Sequence, residues 1–187
     1  MLRPLLFLAA FLALLSPAQT MSVIEPTLDD LVAESATVVR AVTESVESFE
    51  AVSPTGVRYA KTRVTWKVER ALKGEAGERM QLEFLGGEVG SLRTLVPGMP
   101  QFSPGDIDYL FVSPTRRSIC PLVAGDSGRF PVSFEAGSGS STVPKAARHL
   151  RLQVSSTSAQ AQPAPTRAPS DDDFEAAIRA RVSTGKP

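Results

Sequence analysis

Short runs of alternating apolar and polar residues, each closed by a glycine- or proline-bearing turn, constrain this chain more than any other feature. Residues 80–85 read MQLEFL, which puts Met80, Leu82 and Phe84 on one side of an extended backbone and Gln81 and Glu83 on the other. A helix cannot segregate such a pattern, so this segment is predicted to be a strand. The same reasoning covers Val57 to Leu72, which alternates through Tyr59, Lys61, Arg63, Val64, Trp66 and Val68 and lies between the turn residues Pro54, Thr55, Gly56 and the pair Lys73, Gly74. A β-branched stretch from Thr37 to Phe49 supplies an earlier strand.

Further along, Leu92 to Val96 is a weaker strand, and Ile107 to Val112 (IDYLFV) is too continuously apolar to be half exposed, so it is expected to be buried. Arg129 to Phe134 alternates but carries Pro131, which confines it to a sheet edge. Between these lie a glycine cluster, Gly86, Gly87 and Gly90, and the segment PGMPQFSPGD, whose three prolines and two glycines forbid regular structure. Many short strands with turns between them predict an all-β fold, an OB-like five-stranded barrel, with a β-sandwich as the alternative. Trp66 and Phe111 are expected inside it, sharing one core with Val38, Val64, Leu82, Phe84, Leu110 and Val112.

Helix signals occur at the two ends of the mature chain. Thr27 and Asp30 have capping-box spacing, and Leu28, Leu31 and Val32 share a helical face, so a short helix from about Leu28 to Ser35 should cover part of the barrel. From Ser155 the composition turns to Ser, Ala, Gln and Pro, too poor in apolar surface to offset ordering entropy, which predicts a disordered tether. Beyond it, Ser170 and the carboxylates Asp171 to Asp173 form a helix N-terminus for FEAAIRARV. Phe174, Ile178 and Val182 make one narrow apolar stripe, open to docking on the barrel, docking on a partner, or fraying alone. The expected organisation is a signal peptide (1–18), a barrel domain (22–153), a disordered linker (154–170) and a short helix or tail (171–187).

The first 20 residues carry Arg3, an apolar run of 11 residues from Leu5 to Leu15, and small residues at Ser16 and Ala18. Cleavage after Ala18 and export to the periplasm or the exterior are expected, because the run is well short of the roughly 20 residues that span a bilayer. No membrane span should remain afterwards.

Composition narrows the chemistry. Twenty basic residues against twenty acidic, without a long basic run, lack the footprint that phosphate-backbone binding requires, so no nucleic-acid partner is expected. A single cysteine, Cys120, excludes an intrachain disulfide, and a single histidine, His149, excludes any multi-histidine metal site. Cys120 sits in an apolar run and is expected to be buried, while His149, in AARHLRL, should face water. The string GDSG at Gly125 to Gly128 resembles the serine segment of trypsin-like proteases, but it has no upstream histidine to act as base and is read as a turn.

LGGEVG lacks the Lys-Ser/Thr that completes a phosphate loop, so its glycines are assigned to backbone freedom. Asp171 to Asp173 lack calcium-loop spacing and are assigned to the helix N-terminus, and Asp106 with Asp108 to a solvated rim. No cofactor, no metal and no catalytic residue is expected.

The order helix, VVRA, long strand ending ALKG, and PGD-initiated YLFV strand resembles the netrin-like or tissue-inhibitor-of-metalloproteinases fold. In that family a strand of the type VVIRAKV resembles Thr37 to Val42, one ending VFKG resembles Arg70 to Gly74, and GKEYLI resembles Gly105 to Phe111. The resemblance spans roughly residues 27–135 and implies a five-stranded OB-type barrel. Its inhibitory cysteine at the mature N-terminus has no counterpart, since no Cys precedes Cys120, so no inhibitory residue carries over. The chain also resembles uncharacterised secreted bacterial proteins with the layout VERALKG, LGG, VPGMPQFSPGD, YLFV, for which the resemblance implies no established activity.

The expected function is a monomeric, non-enzymatic binding module that meets a protein partner, extracellular or periplasmic, through loops at one barrel end. Met99 and Phe102 of the irregular loop, with Gly86 and Gly87 of the neighbouring turn, are the candidate contact residues. The alternative is an inhibitor or regulator of an extracellular protease.

Overall fold

The computed structural model describes residues 25–115, 119–134, 140–147 and 168–185. The expected signal peptide, the linker through residue 167 and His149 lie outside the described residues.

Thr27 caps helix α1 (Leu28–Glu34) through both halves of a capping box. Its hydroxyl accepts from Asp30 N at 3.2 Å, and its own N–H donates to Asp30 Oδ2 at 2.9 Å. The expected apolar face of Leu28, Leu31 and Val32 is buried.

The chain then enters two 16-residue strands, β1 (Thr37–Val52) and β2 (Arg58–Lys73), joined by a tight turn in which Gly56 takes φ +83°. Three register shifts in this hairpin, at Val38/Val39, Arg40/Ala41 and Thr43/Ser45, add the local twist that bulges impose. With β3 (Arg79–Leu85), β6 (Ile107–Val112) and β7 (Arg129–Pro131) the two strands form one antiparallel five-stranded sheet in the order β3-β2-β1-β6-β7. The fold is mostly β.

Two small ladders complete it. The glycine segment, expected only as a connection, itself pairs, as β4 (Gly87–Val89) with β5 (Leu92–Thr94). The expected single strand from Arg129 to Phe134 breaks at Val132 after β7, and β8 (Ser133–Phe134) then pairs with β9 (Ser141–Thr142).

The closed five-stranded barrel is corrected. Among the described residues β3 and β7 do not pair, so the sheet is open along that seam; Leu85 N at the end of β3 instead donates to Ile119 O, in the connection after β6, at 3.0 Å.

Nor is there one shared core. Val39, Val64, Trp66, Phe84 and Leu110 pack on one face of the sheet. Val38 and Phe111, expected among them, pack on the other with Leu28 and Phe130. The reason is the two-residue period of a strand: Val38 and Val39 must point to opposite faces, and both are fully buried because β1 is covered on both sides.

What covers the second face includes α2 (Asp171–Thr184), whose Ser170 hydroxyl accepts from Asp173 N at 3.1 Å. The frayed, unpartnered alternative is overturned. Phe174 and Ile178 are fully buried, and the Phe174 ring stands edge-on to Tyr109 at 5.1 Å and 5.1 Å from Phe130. Among the described residues two helices, not one, therefore lie on the sheet. Val143 N donates to Pro169 O at 3.0 Å, which ties the start of α2 to the strand β9 region. Among the described residues no helix is long and apolar enough to cross a membrane.

Candidate functional site

Gly86 and Gly87 take φ +114° and +138°, backbone conformations that side-chain-bearing residues rarely adopt, and let the chain fold back as it leaves β3. A Cβ on Gly87 would lie 2.7 Å from both Ser48 Oγ and Thr62 Oγ1, so the β4–β5 hairpin can approach β1 and β2 this closely only with glycine there. Side chains then anchor it. Thr62 Oγ1 donates to Gly86 O at 2.8 Å, and Thr94 Oγ1 accepts from Ala60 N at 2.9 Å.

The irregular loop, residues 97–106, is tied down at both ends. Gly98 O accepts from Asp126 N at 3.3 Å, and Gly105 N donates to Thr43 O at 2.9 Å. In between, the ring of Phe102 packs edge-on to Trp66 at 5.1 Å and lies 5.3 Å from Phe84, while the Arg129 guanidinium sits over its other face, 4.4 Å from the centroid. Arg129 is itself held by Asp106 at 2.7 Å, Asp108 at 2.8 Å and the carbonyl of Gln101.

Loop and hairpin enclose a pocket of about 300 Å³. Met99, Phe102, Val64 and Phe84 give it apolar walls, and Ser48, Thr62 and Thr94 give it hydroxyls. Gly86, Gly87, Met99 and Phe102, drawn from two separate segments, all line it. Leu95 stands on its wall with 74% of its surface exposed. Glu88 and Arg93 are the ionisable residues of the lining. The hydroxyls of Ser48 and Thr62 lie 3.2 Å apart and Thr62 already donates to a carbonyl, so the lining supplies shape, apolar contact and hydroxyl polarity, with the exposed Glu88–Arg93 ion pair at 3.7 Å.

Two polar arrangements escaped the sequence. Asp108, assigned to a solvated rim with Asp106, is fully buried under Arg129. Burial pushes its carboxyl up, against the hydrogen bond and charge of Arg129. Asp171, assigned only to a helix N-terminus, accepts from Arg40 Nη2 at 2.8 Å, Tyr109 Oη at 2.5 Å and Ser141 Oγ at 3.3 Å, and Arg40 also pairs with Glu69. Burial pushes Asp171 up, but these bonds together hold it below the ordinary carboxylate range. The i, i+2 spacing of Asp106 and Asp108 was the available signal for the first. Nothing local announces the second.

No family model matches the chain, and no similar protein is found among curated sequences.

The remaining expectations fall as follows. GDSG forms a single 3₁₀ turn, Gly125–Gly128, between β6 and β7, consistent with a turn. Cys120 is half-buried rather than buried, and burial pushes its thiol up. Among the described residues no group of three or more His, Cys, Asp or Glu side chains is gathered as metal ligands would be.

Proposed function

We propose that the chain is an exported, non-enzymatic binding module that recognises a protein partner through the pocket between the irregular loop and the glycine hairpin. The observation that carries this reading is convergence: Gly86, Gly87, Met99 and Phe102 line one pocket beside an exposed Leu95. An apolar side chain of the partner would enter between Met99 and Phe102, with Leu95 packing against its flank. Fixed loops of this kind favour binding because their ordering entropy is already lost before the partner arrives.

The strand order also supports an OB-type, netrin-like reading. The order β3-β2-β1-β6-β7 is the one that opening an OB-type barrel between its outermost strands would leave. Such barrels present the face of their second and third strands to ligands, and here Thr62 and Val64 of β2 and Phe84 and Leu85 of β3 form pocket wall.

Affinity capture from an exported-protein fraction, run with wild type and with Leu95→Asp plus Met99→Ala, tests the proposal. A partner held by wild type and lost by the variant, at unchanged melting temperature, is the expected result. Identical captured sets would overturn it, and capture of a protease whose activity falls on binding would redirect the reading to an inhibitor.

A further inference from the structure

Three side chains on the Trp66 face of the sheet each bury a polar atom that no group among the described residues satisfies: Trp66 Nε1, Thr43 Oγ1 and Asp108 Oδ2. Trp66 and Asp108 are fully buried and Thr43 is 2% exposed. Polar atoms in such positions are costly unless something bonds them.

The three are neighbours. Thr43 on β1 is the register partner of Trp66 on β2. Ala41, two residues earlier and so on the same face as Thr43, is the register partner of Asp108 on β6. Trp66 and Asp108 thus flank Thr43 from its two adjoining strands. Above them lies Phe102, its ring against Trp66 and its other face under Arg129, whose Nε holds the second oxygen of Asp108 at 2.8 Å.

The chemistry of the three atoms is complementary without their touching. An indole N–H only donates, a carboxylate oxygen only accepts, and a hydroxyl does either. One water can accept from Trp66, donate to Asp108 and exchange a third bond with Thr43 on the strand between them. The β1 register shift between Thr43 and Ser45 falls at this point, where an irregular backbone makes room.

We propose that Thr43, Trp66 and Asp108 form a built site for a single buried water molecule, sealed beneath Phe102. The water joins Arg129 in holding the Asp108 carboxylate, so it helps pin the Arg129–Phe102 pair that walls the pocket. The inference does not depend on what the pocket binds.

Trp66 is the only tryptophan, so its indole N–H gives one resonance in the full chain. Water-selective nuclear Overhauser spectra should show a cross-peak of bound-water sign at that proton, weakened in Thr43→Val, which removes one of the three groups that hold the water. A high-resolution crystal structure should show a water oxygen within about 3.2 Å of all three atoms. The proposal is overturned by a wild-type indole with no water cross-peak, by a cross-peak undiminished in folded Thr43→Val, or by a crystal structure with no water at the three atoms or in which Asp108 bonds Trp66 or Thr43 directly.

Discussion

Arg40 in β1 and Asp171 in the first turn of α2, 131 residues apart in the chain, meet in a buried ion pair with Arg40 Nη2 at 2.8 Å from Asp171 Oδ2. It bolts the C-terminal helix to the sheet, beside a second ion pair from Arg70 Nε on β2 to Glu175 Oε2 at 2.9 Å. Removing the carboxylate leaves a buried guanidinium with Glu69 alone, and breaking one side of a buried pair is strongly destabilising. Asp171→Ala should therefore cost about 3 kcal/mol in urea unfolding. A loss below about 0.5 kcal/mol, the ordinary range of surface substitutions, would mean that the pair contributes little.

The same carboxylate sets an acid limit. Because Asp171 is held below its ordinary value of 3.8, its contribution is fully present above that value and is lost as pH falls through the lower folded one. The stability gap between wild type and Asp171→Asn should be constant near neutrality and shrink below about pH 4. Asp108, pushed up by burial, has the opposite sign: its linkage term favours the fold below 3.8 and is lost as pH rises through its raised value. Comparing wild type with Asp171→Asn isolates the first effect, and a gap unchanged down to pH 2 would refute it.

Phe102 screens Trp66 from the pocket side. Phe102→Ala should cost about 2 kcal/mol, less than a fully buried phenylalanine because the ring is half-buried, and should shift Trp66 fluorescence to longer wavelength as water gains access. An unchanged emission maximum would show that other residues keep Trp66 dry.

Gly87→Ala strains the backbone at φ +138° and drives a methyl to 2.7 Å from the Ser48 and Thr62 hydroxyls. A loss of about 1–3 kcal/mol is expected. Gly90→Ala, at φ +58° with open space around it, is the control and should cost less. Equal losses would show that backbone conformation alone, and not the close approach of the hairpin to β1 and β2, demands glycine at position 87.

Where information is local, the sequence carried it. Met80, Leu82 and Phe84 declare their common face because the period of a strand is written within six residues. Thr27 and Asp30 declare a helix start because both partners of the capping box lie within one turn. The irregular loop follows from its prolines and glycines, and the glycine cluster from its neighbourhood, although the pairing of Gly87–Val89 with Leu92–Thr94 was hidden in a segment rich enough in glycine to look like pure connection.

The remainder depended on partners distant in sequence. Val38, Val39, Leu110 and Phe111 stand in continuous apolar runs, and such runs do not say which side of the sheet each residue faces or that helices cover one side. Phe174 and Ile178 made a stripe too narrow to reveal its target, which Tyr109 and Phe130 supply from β6 and β7. Burial of Asp108 under Arg129 and of Asp171 against Arg40 required strands and a helix to be already in position. So the sequence by itself determined the principal strands, the first helix and the irregular loop, since propensity, period and capping act over a few residues. Tertiary structure alone decided the open sheet, the two-faced core, the docked helix and the shared pocket, because edge pairing, burial and ion pairing are energies between segments that only the folded chain brings together.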